Sequence, residues 1–381
     1  MSDLDDLKDL RADLDYEALI EKATPALRLY IRALEQENAR LRQELLALRE
    51  SSARRQRLAE ARAAREEEPE PRPGTRHPED VMVVTVSRRG LAKRTPLNEY
   101  TPQRRGGIGV FDLALAKDDS IAHLLVARQS ATLLALTSRG RAFRVGVDTL
   151  PLTEIRGRGL SLAERLPLTP DEELAVLVAL DDADPRSTAL VATASGWVRS
   201  WHRNYLGPRL QPGTLLYEPQ RGGGVPVAAT LSGGDGDVLI ALRSGLAYRF
   251  PESQVRRDGV RGIQLRPEDA VVGIAAVREE STVLLVTADG QGARREMSTF
   301  AANKSAGGQG KVIMKTEQLA GVAAVNEEDE VLCISASGKI IRFAAAEVPV
   351  KAGSVQGVAV LDVRNDRLAA LAVAPAPGGV A

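Results

Sequence analysis

The chain has 381 residues, of which 44% are hydrophobic, and it carries 51 Lys and Arg against 51 Asp and Glu. This is enough for one large or two modest domains with a buried core, and the balanced charge gives no bulk signal of a nucleic-acid or membrane partner. One cysteine and three scattered histidines exclude a disulfide framework and a cysteine-based zinc cluster. The histidines lie too far apart for a local metal motif, and we expect no metal and no cofactor. The chain lacks an apolar run near the ~18 residues of a membrane span and its N-terminus is acidic, so we expect no transmembrane helix, no signal peptide and a location in the bacterial cytoplasm.

Residues 1–65 are predicted to form a helix, because Leu, Ala, Glu and Arg dominate and the stretch holds no glycine. Thr24 before Pro25 is typical of an N-cap followed by the first helical residue. From there leucines recur every seven residues, with Asn38 at a central core position, which favours a parallel two-stranded coiled coil and hence a homodimer. The residues expected at the dimer interface are Leu27, Ile31, Leu34, Asn38, Leu41, Leu45 and Leu48.

The charged flanks of this helix agree with pairing, since Glu37 and Glu44 would face Arg42 and Arg49 of a second copy. Two alternatives stay open: a single amphipathic helix docked on its own domain, and docking on the coiled coil of a partner. A DNA-reading basic zipper is not predicted, because the arginine cluster at 54–57 follows the leucines instead of preceding them.

Two segments are predicted to lack regular structure. Residues 66–80 are charged and proline-rich, which is typical of an extended linker. Residues 372–381, rich in Ala, Pro and Gly, are expected to form a disordered tail.

Residues 81–371 repeat. Six short apolar runs predict units that start near residues 81, 131, 187, 237, 281 and 330. A glycine follows each run, at Gly90, Gly140, Gly196, Gly245, Gly290 and Gly338. Five units carry a hydroxyl three residues before this glycine, and five carry an arginine four residues after it. A second glycine follows, at Gly109, Gly159, Gly213, Gly262, Gly310 and Gly357.

The repeat predicts a mainly β domain. Each apolar run suits a buried strand, and the glycine suits the turn of a hairpin because it takes positive φ at low cost. Units of about 48 residues have the size of propeller blades. We therefore expect a six-bladed, propeller-like ring over residues 81–371, preceded by the helical segment.

Charge follows the same repeat. Bases cluster after each hairpin and near the second glycine, whereas acids lie in the connectors, so a ring would gather the bases into a belt that could hold a polyanion. The alternative is structural: an arginine at a fixed strand position can pair with the neighbouring blade. The bases predicted to contact DNA are Arg88, Arg89, Lys93, Arg94, Arg104, Arg105, Arg139, Arg141, Arg144, Arg156, Arg158, Arg249, Arg256, Arg257 and Arg261.

The stretch from Arg88 to Val110 resembles the first blade of the C-terminal domain of DNA gyrase A. Its heptapeptide QRRGGIG at 103–109 is similar to the signature box of that family. The matching residues are Gln103, Arg104, Arg105, Gly106, Gly107 and Gly109, whereas Ile108 stands where the family has Lys or Arg. The resemblance implies a six-bladed β-pinwheel whose blades exchange strands, with duplex DNA wrapped around its rim and anchored at the box. The corresponding chain of topoisomerase IV, which is similar but lacks the box, is thought to guide DNA instead.

We therefore expect binding, bending and wrapping of double-stranded DNA by a protein that does not cut it, as an accessory to a type IIA topoisomerase. The few residues before the first unit leave no room for a catalytic tyrosine domain, and a GxxxxGK phosphate loop is absent. Aromatic residues make up only 3% of the chain, which argues against single-strand binding by base stacking. The alternative function is a propeller scaffold for other proteins, which Ile108 and the irregular third unit favour.

Removal of residues 1–65 is expected to turn a dimer into a monomer, because the heptad leucines are the predicted contact between copies. Light scattering would show the mass falling from two chains to one. A full-length chain that is already monomeric would contradict the coiled coil.

Overall fold

The computed structural model describes residues 22, 24–34, 36–41, 80–162, 164–182, 184, 186–221, 223–353 and 356–376. The chain divides into two units, Met1–Glu70 and Pro71–Ala381. Leu45 and Leu48, the predicted linker up to residue 79 and the tail from residue 377 lie outside the described residues. None of the helices in the described part is both long and apolar enough to cross a membrane.

In the first unit, residues 25–34 and 36–41 are helical. Thr24 Oγ1 accepts a hydrogen bond from the Leu27 backbone N–H at 3.4 Å, as expected of an N-cap. Leu27, Leu34 and Leu41 are 50%, 46% and 53% exposed in the single chain. Asn38 Nδ2 donates to the Leu34 carbonyl at 3.2 Å. The coiled-coil dimer stays a prediction.

In the described part of the second unit, six four-stranded antiparallel sheets form the blades of a propeller, which confirms the predicted fold class. Each repeat opens with a hairpin. The first strands of the hairpins are β1 (Val81–Ser87), β5 (Thr132–Thr137), β9 (Thr188–Thr193), β13 (Asp237–Leu242), β18 (Thr282–Thr287) and β23 (Glu330–Ser335). The second strands are β2 (Leu91–Pro96), β6 (Arg141–Gly146), β10 (Trp197–His202), β14 (Leu246–Pro251), β19 (Gln291–Glu296) and β24 (Lys339–Ala344).

Each hairpin leads into one turn of 3₁₀ helix, a two-residue outer strand and a longer inner strand. The 3₁₀ helices are Leu97–Glu99, Val147–Thr149, Arg203–Tyr205, Glu252–Gln254, Met297–Thr299 and Ala345–Glu347. The outer strands are β3 (Val110–Phe111), β7 (Leu160–Ser161), β11 (Thr214–Leu215), β15 (Val260–Arg261), β21 (Lys311–Val312) and β25 (Val358–Ala359). The inner strands are β4 (Ile121–Arg128), β8 (Leu174–Leu180), β12 (Pro226–Ser232), β17 (Val271–Val277), β22 (Leu319–Ala324) and β26 (Leu368–Ala374). A short parallel pair, β16 (Ile263–Gln264) with β20 (Gly308–Gln309), joins the fourth and fifth repeats.

In five of the six repeats, the hydroxyl three residues before the hairpin glycine closes the turn; the fourth repeat has Leu242 at this position. Ser87 Oγ accepts from the Leu91 N–H at 3.1 Å, and Thr287 Oγ1 accepts from the Gln291 N–H at 3.0 Å. The same bond forms at Thr137, Thr193 and Ser335. All six glycines have positive φ, between 74° and 89°. The sequence pattern is therefore that of a hairpin turn whose amide is satisfied by a side chain.

Neighbouring blades bury their apolar side chains against each other. On β5, Leu133 and Ala135 pack towards the first blade, whereas Leu134 and Leu136 pack towards the third. The hairpin strands are thus covered on both faces, which explains why they read as continuous apolar runs. Between the sixth and first blades, Leu332 and Ile334 pack with Val83, so the ring is closed.

The units exchange their outer strands, as a pinwheel requires. Blade 1 has the strand order β4-β1-β2-β7, so its outermost strand comes from the second repeat. The same step recurs around the ring, and β3 of the first repeat completes the sheet of blade 6 by pairing with β24. Each blade is therefore complete only when the next repeat has folded.

The residue four positions after each hairpin glycine fastens one blade to the next repeat. Its side chain donates to the carbonyl of the residue that directly follows the next 3₁₀ helix. Arg94 Nε donates to the Leu150 carbonyl at 2.9 Å, and Arg294 Nε donates to the Val348 carbonyl at 2.6 Å. The other donor–acceptor pairs are Arg144 with Leu206, Ser200 with Val255, Arg249 with Phe300 and Arg342 with Tyr100.

One sequence prediction needs correction. The ring extends beyond residue 371, since β26 continues to Ala374, which pairs with Glu330, so residues 372–374 belong to the ring and not to the predicted tail 372–381. The short alanine-rich end of this strand resembles a low-complexity tail in composition, but its backbone is held by β23. In the fourth repeat Gly259 directly precedes the outer strand β15, and the repeated Gly262 follows it.

Replacing Arg342 with Ala is expected to destabilise the contact between blades 6 and 1 that closes the ring. Arg342 is 3% exposed, donates to the Leu97 and Tyr100 carbonyls at 3.0 and 2.9 Å, and pairs with the buried Glu330. Breaking such a buried pair costs about 3–5 kcal/mol of unfolding free energy. Urea unfolding followed by tryptophan fluorescence would show a clear loss in R342A and a change within about 0.5 kcal/mol in the exposed control R88A. Equal midpoints for wild type and R342A would show that the closure does not depend on this arginine.

Candidate nucleic-acid interface

The predicted DNA-contacting bases separate into three groups by exposure. Those at the surface are Arg88, Arg89, Arg104, Arg139, Arg156, Arg158, Arg256, Arg257 and Arg261. Half-buried are Arg105, Arg141 and Arg144. Buried are Lys93, Arg94 and Arg249.

The prediction that Lys93, Arg94 and Arg249 contact DNA is wrong, because their side chains lie in the core, 0%, 8% and 3% exposed. Arg94 and Arg249 link one blade to the next repeat through hydrogen bonds, which is the structural role that the sequence analysis gave as the alternative. Arg249 also pairs with Asp237 at 2.8 Å. A phosphate could reach these groups only if the ring came apart.

Lys93 belongs to a buried polar cluster. Its Nζ lies 2.8 Å from Asp112 Oδ1 and donates to the Glu154 carbonyl at 3.1 Å. Asp112 also accepts from Thr85 and Tyr100, each at 2.6 Å. Burial lowers the pKa of Lys93 in spite of the carboxylate, and burial together with Asp112 raises the pKa of Tyr100 well above its usual range. The cluster ties the segment after β3 back to blade 1.

Of the half-buried bases, Arg141 and Arg144 are held by protein groups. Arg141 pairs with Glu172 at 2.7 Å and lies over the Phe143 ring. Arg144 donates to Leu206, and burial lowers its pKa. Arg139, which is exposed, donates to the Pro170 carbonyl at 3.0 Å and keeps its guanidinium at the surface.

The box at 103–109 lies where the first repeat meets the last. The Gln103 N–H donates to the Arg342 carbonyl at 2.7 Å, and the Gly106 N–H donates to the Val360 carbonyl at 2.8 Å. Gly107 in turn accepts from the Asp362 N–H at 2.9 Å. The box is therefore part of the ring closure as well as part of its edge.

The two box arginines have different environments. Arg105 Nε donates to the Glu347 carbonyl at 2.8 Å and its Nη1 to the Ala359 carbonyl at 3.0 Å. The backbone N–H of Arg105 donates to the Glu347 carboxylate at 2.9 Å. Arg104 is exposed. Of the two, Arg104 is the more exposed residue, whereas Arg105 holds the box against the last repeat.

The box glycines allow close packing. A Cβ on Gly109 would come within 2.5 Å of the Ile340 carbonyl oxygen, and Gly106 has a φ of +78°. Gly109 therefore excludes other residues for a reason internal to the ring, whereas the backbone at Gly106 favours glycine without requiring it. The half-buried Ile108 lies between them.

A second turn of the same form lies at 153–159 in the second repeat. The Arg156 N–H donates to the Asp112 carbonyl at 2.6 Å, and Gly157 accepts from the Ala114 N–H at 3.2 Å, which repeats the bonds of Gly106 and Gly107. Arg156 has a φ of +69° where Gly106 has +78°. In this turn the exposed Arg158 takes the place of Ile108.

Sequence reasoning missed several bases of the same rim. The segment between the 3₁₀ helix and the exchanged strand carries an exposed base in each of the six repeats, at differing distances before the strand: Arg104, Arg158, Arg209, Arg257, Lys304 and Lys351. Arg257 also lies over the Tyr205 ring, 4.8 Å from its centroid. The signal that could have found Arg209, Lys304 and Lys351 was that each lies a few residues before the second glycine of its repeat, Gly213, Gly310 or Gly357.

A closed ring of strand-exchanging blades, with a base in each turn at its edge, is a β-pinwheel with a basic rim. The family model described as DNA gyrase C-terminal domain, beta-propeller matches residues 82–128, 131–179, 236–278, 281–326 and 329–375. The chain therefore belongs to this family. The third repeat is the one that the model does not match.

Curated relatives agree. DNA gyrase A of Salmonella typhimurium is 32% identical over 245 residues, which cover 63% of this chain and 28% of that protein. DNA gyrase A of Staphylococcus aureus is 28% identical over 302 residues, 76% of this chain and 34% of the relative. The chain thus spans about a third of the length of these relatives.

Solved structures show the same fold. A structure of the DNA gyrase A C-terminal domain matches with a TM-score of 0.67 and 24% identity, covering 77% of this chain and 99% of the other. The C-terminal domain of DNA topoisomerase IV matches with a TM-score of 0.54 and 21% identity, covering 79% and 95%.

Replacing the two box arginines one at a time is expected to separate their roles. R105A loses the bonds to Glu347 and Ala359 and should lower the unfolding free energy by about 1–3 kcal/mol. R104A, at an exposed position, should stay within about 0.5 kcal/mol of wild type. Urea midpoints and hydrogen exchange at the Gly106 amide measure both effects. Equal unfolding free energies for R105A and R104A would contradict the structural role assigned to Arg105.

Proposed function

We propose that this chain binds, bends and wraps double-stranded DNA around the rim of its pinwheel. The observation that carries the proposal is the exposed base in the turn before each exchanged strand, from Arg104 round to Lys351. Family membership and the DNA gyrase A relatives support it. Bases repeated around a ring suit a polyanion that follows the rim.

Recognition on this rim would be by shape and charge. The exposed bases can meet phosphates, which fix the position of a duplex without reading its sequence. The sequence has few aromatic side chains for stacking single-stranded bases. Duplex DNA whose bending cost is low should therefore be preferred.

The box has no positive charge at Ile108, but the equivalent turn of the second repeat has one. Arg158 occupies the equivalent position in the turn at 153–159, next to the exposed Arg156. We propose that Arg104 and Arg158 together anchor the duplex at this part of the rim. Arg105 would contribute mainly by holding the box in place.

We further propose that the chain works without cutting DNA itself, as an accessory to a type IIA topoisomerase on the bacterial chromosome. The exposed leucines of the N-terminal helix support a homodimer that presents two pinwheels. The same stripe would serve equally for docking on the coiled coil of a partner enzyme.

Replacing Arg104 and Arg158 with Ala is expected to weaken duplex binding and flatten its dependence on salt. Each phosphate contact contributes about 0.9 to the slope of log K against log salt, so the slope should fall by roughly 1.8. Fluorescence anisotropy of a labelled duplex over a range of KCl concentrations measures this. The matched control is R128A with R278A, two exposed arginines at the ends of inner strands β4 and β17. Equal slopes for all three proteins would contradict the assignment of the anchor.

Ligation of nicked circular DNA with the same proteins tests wrapping. A shift in linking number that grows with wild-type protein, and shrinks in the Arg104 and Arg158 variant, is the expected result. Retardation on a gel without such a shift would mean that DNA is held but not wrapped. Neither shift nor retardation would refute DNA binding and favour the scaffold for proteins.

A further inference from the structure

The last residue of a 3₁₀ helix can reach the segment of the next repeat that carries an exposed base. Gln254, which ends the helix Glu252–Gln254, donates through Nε2 to the Lys304 carbonyl at 2.7 Å. Its Oε1 accepts from the Ala306 N–H at 2.8 Å. One side-chain amide therefore binds the backbone on both sides of residue 305 and fixes the loop that carries the exposed Lys304.

Tyr205 occupies the same place in the third repeat. It ends the helix Arg203–Tyr205 and is 61% exposed. The guanidinium carbon of the exposed Arg257, which belongs to the fourth repeat, lies 4.8 Å from the centre of the Tyr205 ring. Because stacking holds a guanidinium by its face, the N–H donors at its edge remain available for an anion.

The helix at the ring closure makes a contact of the same kind. Glu347 ends the helix Ala345–Glu347, and its carbonyl accepts from Arg105 Nε at 2.8 Å. Its carboxylate accepts from the Arg105 N–H at 2.9 Å. Arg105 directly follows the exposed Arg104. A glutamine, a tyrosine and a glutamate thus hold basic segments of the next repeat from one position in the fold.

The ring itself does not need this contact. Thr149 and Thr299 end the helices of the second and fifth repeats. Their hydroxyls donate to carbonyls at the start of their own helices, Gly146 at 2.7 Å and Glu296 at 2.8 Å. A residue that bonds only within its own repeat is therefore compatible with a complete blade, and the longer reach of Gln254 and Tyr205 needs another explanation.

We propose that Gln254 and Tyr205 are positioning residues for DNA binding, which hold Lys304 and Arg257 at the places where a duplex follows the rim. This rests on the proposed wrapping function. A mobile base loses side-chain and loop freedom when it binds a phosphate, and a base that is held beforehand loses less. Because phosphate contacts set the position of a duplex, bases fixed in this way give the wrapped DNA a defined path.

A double-mutant cycle of Tyr205 with Arg257 tests the proposal, measured by fluorescence anisotropy of a labelled duplex over a range of KCl concentrations. Y205A should raise the Kd roughly two- to tenfold, whereas Y205F, which keeps the ring, should bind like wild type. R257A should weaken binding and lower the slope of log K against log salt by about 0.9. In R257A the further change Y205A should have no effect on the Kd, because Tyr205 acts through Arg257.

Gln254 is tested in the same way with Lys304. Q254A should raise the Kd and speed hydrogen exchange at the Ala306 amide, and Q254A/K304A should bind like K304A. The matched control is T299A, which removes a hydroxyl from the same helix position without touching the next repeat. Its Kd should equal that of wild type.

Thermal melting establishes that each variant is folded, and Y205L, which fills the position without an aromatic ring, replaces Y205A if that variant is not. Wild-type affinity in both Y205A and Q254A would overturn the proposal. So would a loss of affinity by Y205A that persists undiminished in R257A, because Tyr205 would then act independently of the arginine. Failure of wild type to bind duplex DNA would instead overturn the proposed function.

Discussion

The ring depends on one repeated hydrogen bond, from the side chain four residues after a hairpin glycine to the carbonyl behind the next 3₁₀ helix. A 3₁₀ turn leaves its final carbonyls without helical partners, and buried carbonyls must find donors. Arginine suits this place because its planar group can serve several acceptors at once, as Arg249 does with Met297, Phe300 and Asp237. The last of these bonds, from Arg342 to Tyr100, joins the sixth repeat to the first.

This use of arginine explains how the protein can be neutral and still have a basic edge. Part of its positive charge lies inside the ring, on Arg94, Arg249, Arg294 and Arg342, which are all buried. Several of the acids are internal as well, such as Asp112 and Glu330. Net charge therefore says little about the rim. The electrostatic potential at the rim depends on which bases lie in the turns before the exchanged strands.

The repeat, the six blades and the hairpin turns could be predicted from the sequence because each depends on local residue type: apolar runs, a hydroxyl and a glycine. The direction in which each arginine side chain points could not be predicted from the sequence. Neighbours such as Lys93 and Arg94 point to opposite faces of β2, which in an ordinary half-exposed sheet would leave one of them outside. Here both faces are covered by other blades, so strand alternation does not reveal exposure. The box was recognisable, but the difference between Arg104 and Arg105 depends on Glu347, more than 200 residues away.

The third repeat shows that the bond matters more than the residue that makes it. This repeat has Ser200 where the others have arginine, and it is the one that the family model does not match. The Ser200 hydroxyl still donates to the Val255 carbonyl at 3.1 Å, and the adjacent Arg199 donates to the Arg257 carbonyl at 3.1 Å. Ser200 thus keeps the bond to the carbonyl behind the 3₁₀ helix, and Arg199 adds a bond to the segment that follows. Because Arg199 points to the other face of the strand, it also stacks on Tyr217, 4.5 Å from the ring centre. The ring can lose its sequence pattern at one blade and keep its closure, provided that the carbonyls of the next repeat find donors.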